Sequence, residues 1–134
     1  SADFTAKDFD LTFGEHGGKG TLEIGPGTGE FKAKDLTVTG ADSKFVFKPG
    51  AAGSLAKLTV TGTLTVSDGA KLVVDMTGFT GKQSFTLMTF GAKSGDFADA
   101  DIEIVSDRPQ FYKVEKNAND YRLLVHNGTM VLVK

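Results

Sequence analysis

From Leu58 to Val66 the chain alternates without a break. Leu58, Val60, Gly62, Leu64 and Val66 fall on one side, and Thr59, Thr61, Thr63 and Thr65 on the other. Successive side chains of a β-strand point to opposite faces, so a period of two makes a strand with one apolar and one threonine face. Threonine is β-branched and fits a pleated surface open to water. No chain that carries this run can be all-helical.

The same period recurs along the chain. Phe9, Leu11 and Phe13 alternate with Asp10 and Thr12; Leu22 and Ile24 flank Glu23; Leu36 and Val38 alternate with Thr37 and Thr39; Phe45 and Phe47 flank Val46. No apolar stripe at i, i+3, i+4, i+7 accompanies them, so the expected class is all-β. Turn residues punctuate the strands at Gly17-Gly18, Gly25-Pro26-Gly27, Pro49-Gly50, Ser67-Asp68-Gly69, Asn117 to Asp120 and Asn127-Gly128. Two of these sites predict tight hairpins. Thr63–Val66 would pair with Lys71–Met76, and Leu123–Val125 with Thr129–Val133.

A faint repeat adds a further constraint. Leu-Thr-Val-Thr-Gly occurs identically at 36–40 and 58–62, and Ala6-Lys7-Asp8, Ala33-Lys34-Asp35 and Ala56-Lys57 introduce similar strands. The spacing of 22 between the identical copies matches one coil of a β-solenoid. A β-sandwich or jelly roll carries the same alternation and stays open as the alternative.

Several segments together resemble the C-terminal part of passenger domains of bacterial autotransporter-type and autotransporter-associated β-strand repeat proteins. They are Leu58–Val66, Gly69-Ala70-Lys71-Leu72-Val73-Val74-Asp75, Phe85–Phe90, Gly95-Asp96-Phe97, Tyr121–Val125 and Met130–Val133. The resemblance spans roughly residues 33–134. It implies a short right-handed parallel β-helix ending in antiparallel capping strands, on a secreted or cell-surface bacterial protein. Structural stalks, adhesins and occasionally enzymes are the roles it suggests, and it brings no shared catalytic residues. The membrane barrel of such proteins is not in this sequence, so residues 1–134 are expected to form one domain of a longer exported chain.

Composition narrows the function classes. The net charge is −2 with Lys and Asp interspersed, whereas nucleic-acid binding needs clustered cations against phosphates. A polybasic membrane patch is missing for the same reason. No window holds the roughly 18 apolar residues of a membrane span. Eleven Phe against two Tyr and no Trp predict aromatics used as dry core filler rather than as a wet stacking platform. The chain holds no Cys.

Chemical motifs are weak. Gly14 to Gly20 has three residues between its glycines where a phosphate loop needs four, and Gly20 follows Lys19 where Ser or Thr must hold magnesium. Gly25-Pro26-Gly27-Thr28-Gly29 lacks the helix of a dinucleotide fingerprint. His16 and His126 sit in turns and are too few for a zinc site. No Gly-x-Ser-x-Gly elbow is present, and Asn127-Gly128-Thr129 is better explained by turn chemistry than as a glycosylation sequon.

The acidic run Asp96, Asp99, Asp101, Glu103 is the strongest polar signal. As a strand, it would set Asp99, Asp101 and Glu103 opposite Ala98, Ala100, Ile102 and Ile104. Such carboxylates suit calcium or the paired acids of glycoside hydrolysis, and they equally suit a charged strand face that resists edge pairing. We expect no catalytic, cofactor or metal site, and a non-enzymatic structural or adhesive module. Its partner would be a glycan, a host protein or a second copy, met through an exposed strand edge. The competing expectation is a carbohydrate-binding or carbohydrate-active domain using Asp96, Asp99, Asp101, Tyr112 and Tyr121.

Overall fold

The computed structural model describes residues 21–27, 29–51 and 54–126, together with the backbone of 4–5 and 10–13. Gly14 to Gly20 with His16, the sequon at Asn127, and the terminal hairpin through Thr129–Val133 lie outside the described residues.

Two sheets build the protein, and the chain visits them in turn. Strands β1 (Phe4–Thr5) and β2 (Asp10–Phe13) belong to the first sheet, and β3 (Thr21–Ile24) to the second. The first sheet then takes β4 (Glu30–Ala33) and β5 (Asp35–Thr39), and the second takes β6 (Lys44–Phe47). The alternation continues with β7 (Lys57–Ser67), β8 (Lys71–Asp75), β9 (Phe85–Ser94) and β10 (Ile102–Val105). Strands β11 (Tyr112–Lys116) and β12 (Asp120–Val125) return to the first sheet. The second sheet runs β10-β8-β6-β3 and pairs in parallel throughout. The first pairs in parallel from β1 and β2 through β9, and antiparallel from β9 to β12 and β11. The class is all-β, with one mixed and one parallel sheet. An antiparallel jelly roll would not pair this way.

Parallel neighbours need a crossover of about a dozen residues or more, usually a helix. Here the crossover is a strand of the opposite sheet: β6 between β5 and β7, β8 between β7 and β9. The helical pieces among the described residues are three-residue turns, Asp99–Asp101 and Pro109–Phe111.

Between the sheets lies one apolar cluster, in which Leu36, Val38, Phe45, Phe47, Leu64, Leu72 and Val74 are fully buried. Aromatic rings run through it edge to face. Phe45 meets Phe47 at 6.5 Å and Phe97 at 5.8 Å, and Tyr121 meets Phe97 at 5.7 Å and Phe90 at 5.1 Å. Each buried Phe removes enough apolar area from water to stabilise the fold by about 1.5–3 kcal/mol. These phenylalanines are core filler, as composition predicts.

Strand β7 shows the alternation that the sequence predicts: Leu58, Val60, Leu64 and Val66 are buried, and the threonines are partly or fully exposed. It also carries an extra residue. Ala33 pairs with Val60 and Leu36 with Leu64, so β7 holds one residue more than the β4–β5 segment beside it. Gly62 sits at that point, donating its N–H to the Lys34 carbonyl at 2.6 Å, while Asp35 Oδ1 accepts the Thr63 N–H at 2.8 Å. A Cβ at Gly62 would collide with both the Lys34 carbonyl and the Asp35 carboxylate.

Three sequence expectations are corrected. The identical pentapeptides are not lateral partners: Leu36 lies beside Leu64 rather than Leu58, a register of 28 and not 22. Strand length and the crossover through β6 set that register, and neither is encoded in the repeated five residues. Second, β7 and β8 do not form a hairpin, because they belong to different sheets. Asp68 (φ 57°) and Gly69 (φ 81°) do adopt the left-handed geometry of a tight turn, but the turn is a corner between sheets. Third, 98–101 is not strand. The Asp101 N–H bonds to the Ala98 carbonyl at 2.8 Å and closes a 3-10 turn, so the acidic face exists only at Glu103 in β10.

Candidate functional site

The acidic run disperses onto separate lysines. Lys116 Nζ bonds Asp99 Oδ1 at 2.9 Å and the Phe97 carbonyl at 2.9 Å, and Lys71 Nζ bonds Asp101 Oδ1 at 3.2 Å. Among the described residues no three His, Cys, Asp or Glu side chains gather as metal ligands would.

Asp96 is built into the fold rather than into a groove. Its Oδ2 meets Lys93 Nζ at 2.8 Å, and its Oδ1 accepts the Tyr121 hydroxyl at 2.7 Å and the Phe97 N–H at 3.0 Å. Desolvation opposes ionisation of Asp96, but the hydrogen bonds from Lys93 and Tyr121, with the lysine charge, prevail and hold its pKa below the usual carboxylate range. Tyr121 is pushed far above the ordinary phenol range, first by burial and then by the Asp96 carboxylate. Lys93 Nζ also lies 5.1 Å from the Tyr121 ring centre. Tyr121 is fully buried, whereas Asp96 keeps part of its carboxylate at the surface.

Tyr112 has a different setting. It stands at the start of β11, where the loops 76–84 and 106–111 meet. Two adjoining depressions of about 290 and 360 Å³ share Phe79, Arg108 and Tyr112 as their common wall. Local chemistry shapes each loop. Asp75 Oδ1 accepts the Thr77 N–H at 3.0 Å in an Asx turn. Hydrogen bonds from the Thr77 side chain and backbone hold the Asp75 pKa down, helped by Lys48 and against slight burial. The Phe79 N–H returns to the Met76 carbonyl at 2.9 Å, and Thr80 ties the loop to Ala51 through its N–H at 2.7 Å and its hydroxyl at 3.1 Å.

On the facing side, Ser106 Oγ accepts the Arg108 N–H at 3.0 Å and Pro109 opens the 3-10 turn. The Phe111 carbonyl accepts the His126 N–H at 2.9 Å, which brings the end of β12 to the rim.

The wall is aromatic. Phe79 packs on Phe85 at 5.8 Å and edge-on against Tyr112 at 6.0 Å, and the Arg108 guanidinium lies 5.2 Å from the Phe111 ring centre. All four rings are only half-buried. Lys82 and Arg108 line the larger depression beside His126, and Asp107 is the one carboxylate among the described residues that line the smaller. Among the described residues neither Lys82 nor Arg108 makes an ion pair, whereas Lys48, Lys71, Lys93 and Lys116 do. A half-wet aromatic wall with unpaired cations has the makeup of a small-ligand pocket.

Of the five suspects named from sequence, only Tyr112 lies in this cleft. Phe79, Arg108 and Phe111 are additional residues that sequence reasoning missed. The one sequence signal, for Arg108 and Phe111 but not Phe79, is the Arg108-Pro109-Gln110-Phe111-Tyr112 cluster, which holds one of the two tyrosines. No known protein family, curated protein or solved structure matches the chain.

Proposed function

We infer that the chain is a non-enzymatic structural or adhesive module of an exported bacterial surface protein, wound as a short right-handed parallel β-helix. The observation that carries this reading is the crossover arrangement: parallel neighbours in one sheet are joined through a strand of the other. Parallel sheets in α/β proteins are covered by helices on both faces, and their strands read as continuous apolar runs. Here the strands alternate, with one face against the opposite sheet and one toward water. Stacked coils account for that pattern, and the strong right-handed preference of parallel crossovers gives the winding sense. The antiparallel strands β11 and β12 then serve as the cap, with charged Lys113, Glu115 and Lys116 on the edge strand β11 discouraging further pairing. The resemblance to autotransporter-type passenger domains supplies the surface setting.

Antibodies raised against the chain test the setting on intact cells of the source organism. Labelling of unbroken cells is expected; labelling only after lysis overturns it.

A second reading, carbohydrate binding, is favoured by one observation, the half-exposed wall of Phe79, Phe111 and Tyr112. Half-exposed aromatics fit the apolar faces of sugar rings, with polar groups at the edge fixing orientation.

A further inference from the structure

We propose that the cleft between loops 76–84 and 106–111 binds a carboxylate-bearing sugar, with Arg108 holding the carboxylate. This proposal rests on the carbohydrate reading and names its ligand class. Three observations carry it. The wall leaves Phe79, Phe111 and Tyr112 only partly buried, so part of their apolar surface stays open to a ligand. Its fixed charges are mainly cationic: Lys82 and Arg108 line one depression and neither makes an ion pair among the described residues, while Asp107 lines the adjoining one. The guanidinium is held against Phe111, which orients its planar fork before a ligand arrives.

Arginine's rigid fork matches a carboxylate in bidentate geometry, and stacking it on an aromatic ring reduces the freedom lost on binding. A sugar acid satisfies both halves of the site. Its C–H face covers a ring, and its carboxylate reaches Arg108 with Lys82 nearby. A purely anionic peptide satisfies only the charge, and a neutral sugar only the rings.

The test titrates the chain with tri-galacturonic acid, its methyl ester and tri-glutamate, following backbone amide resonances. Tri-galacturonic acid is expected to shift amides of 76–82 and 106–112, and to bind at least tenfold more tightly than the ester. Arg108→Gln, at an exposed position, is expected to weaken the acid about tenfold and the ester much less, the loss typical of one charge-assisted hydrogen-bonded contact. Equal binding of acid and ester, insensitive to Arg108→Gln, overturns the acid preference while the carbohydrate reading stands. No saccharide binding, or shifts confined to other surfaces, overturns both. Tri-glutamate binding as tightly as the sugar acid also overturns both, because charge alone would then suffice.

Discussion

Tyr121 donates its phenol hydrogen to Asp96 Oδ1 across 2.7 Å, joining the start of β12 to the corner that follows β9. The ring of Tyr121 is fully buried between Phe90 and Phe97, so the hydroxyl has no access to bulk water as a substitute partner.

This bond makes stability depend on pH at both ends of the scale. Asp96 is held below its unfolded value of 3.8, so its contribution is present above that value and is lost as pH falls through the folded pKa. Tyr121 is held above its unfolded value of 10.0, so its contribution is complete below pH 10 and declines as pH rises beyond it. Denaturant melts of the wild type and Tyr121→Phe across pH 2–11 check both. The variant should lose about 1–2 kcal/mol near neutrality and show a flatter alkaline limb. An unchanged alkaline limb refutes the assignment.

Gly62 is required by close approach. In Gly62→Ala the new methyl must displace the Lys34 backbone or the Asp35 carboxylate, and with it the cap on Thr63. A loss of about 1–3 kcal/mol is expected. Asp35→Ala in the Gly62→Ala background should cost less than the two changes summed, because each breaks the same contact. Urea denaturation of the four variants measures that coupling.

Paired cysteines read the register directly. Thr37 lies opposite Thr65 on neighbouring parallel strands, within reach of a disulfide, whereas Thr37 and Thr59 are not neighbours. Thr37→Cys with Thr65→Cys should cross-link on mild oxidation, and Thr37→Cys with Thr59→Cys should not. The opposite result would restore the 22-residue repeat.

Ser43 is fully buried, and among the described residues its hydroxyl has no hydrogen-bond partner. Such a hydroxyl costs about 1–3 kcal/mol in lost hydration. Ser43→Ala is therefore expected to be neutral or stabilising by thermal melting. A clear fall in melting temperature would show that the hydroxyl is paired. Phe45→Ala, two residues further on, opens a cavity beside Phe47 and Phe97 and should cost about 3–5 kcal/mol.

The alternation from Leu58 to Val66 determined by itself that this segment is a strand, and which of its side chains are buried. Local sterics and the two-residue period decide both, and neither needs a partner. The left-handed turn at Asp68-Gly69 was legible for the same reason. The partner of each strand was not. Leu36 has near-identical surroundings at Leu58 and Leu64, and only the length of the excursion through β6 selects the second. The turn at Asp68-Gly69 suits a hairpin and a corner equally, so only long-range pairing sends β8 into the other sheet. The acidic alternation at 98–101 is overruled by one backbone hydrogen bond and by lysines distant in the chain. The cleft depends most on tertiary structure. Phe79 and Tyr112 lie 33 positions apart, on separate loops, and no local pattern announces that their rings meet at 6.0 Å.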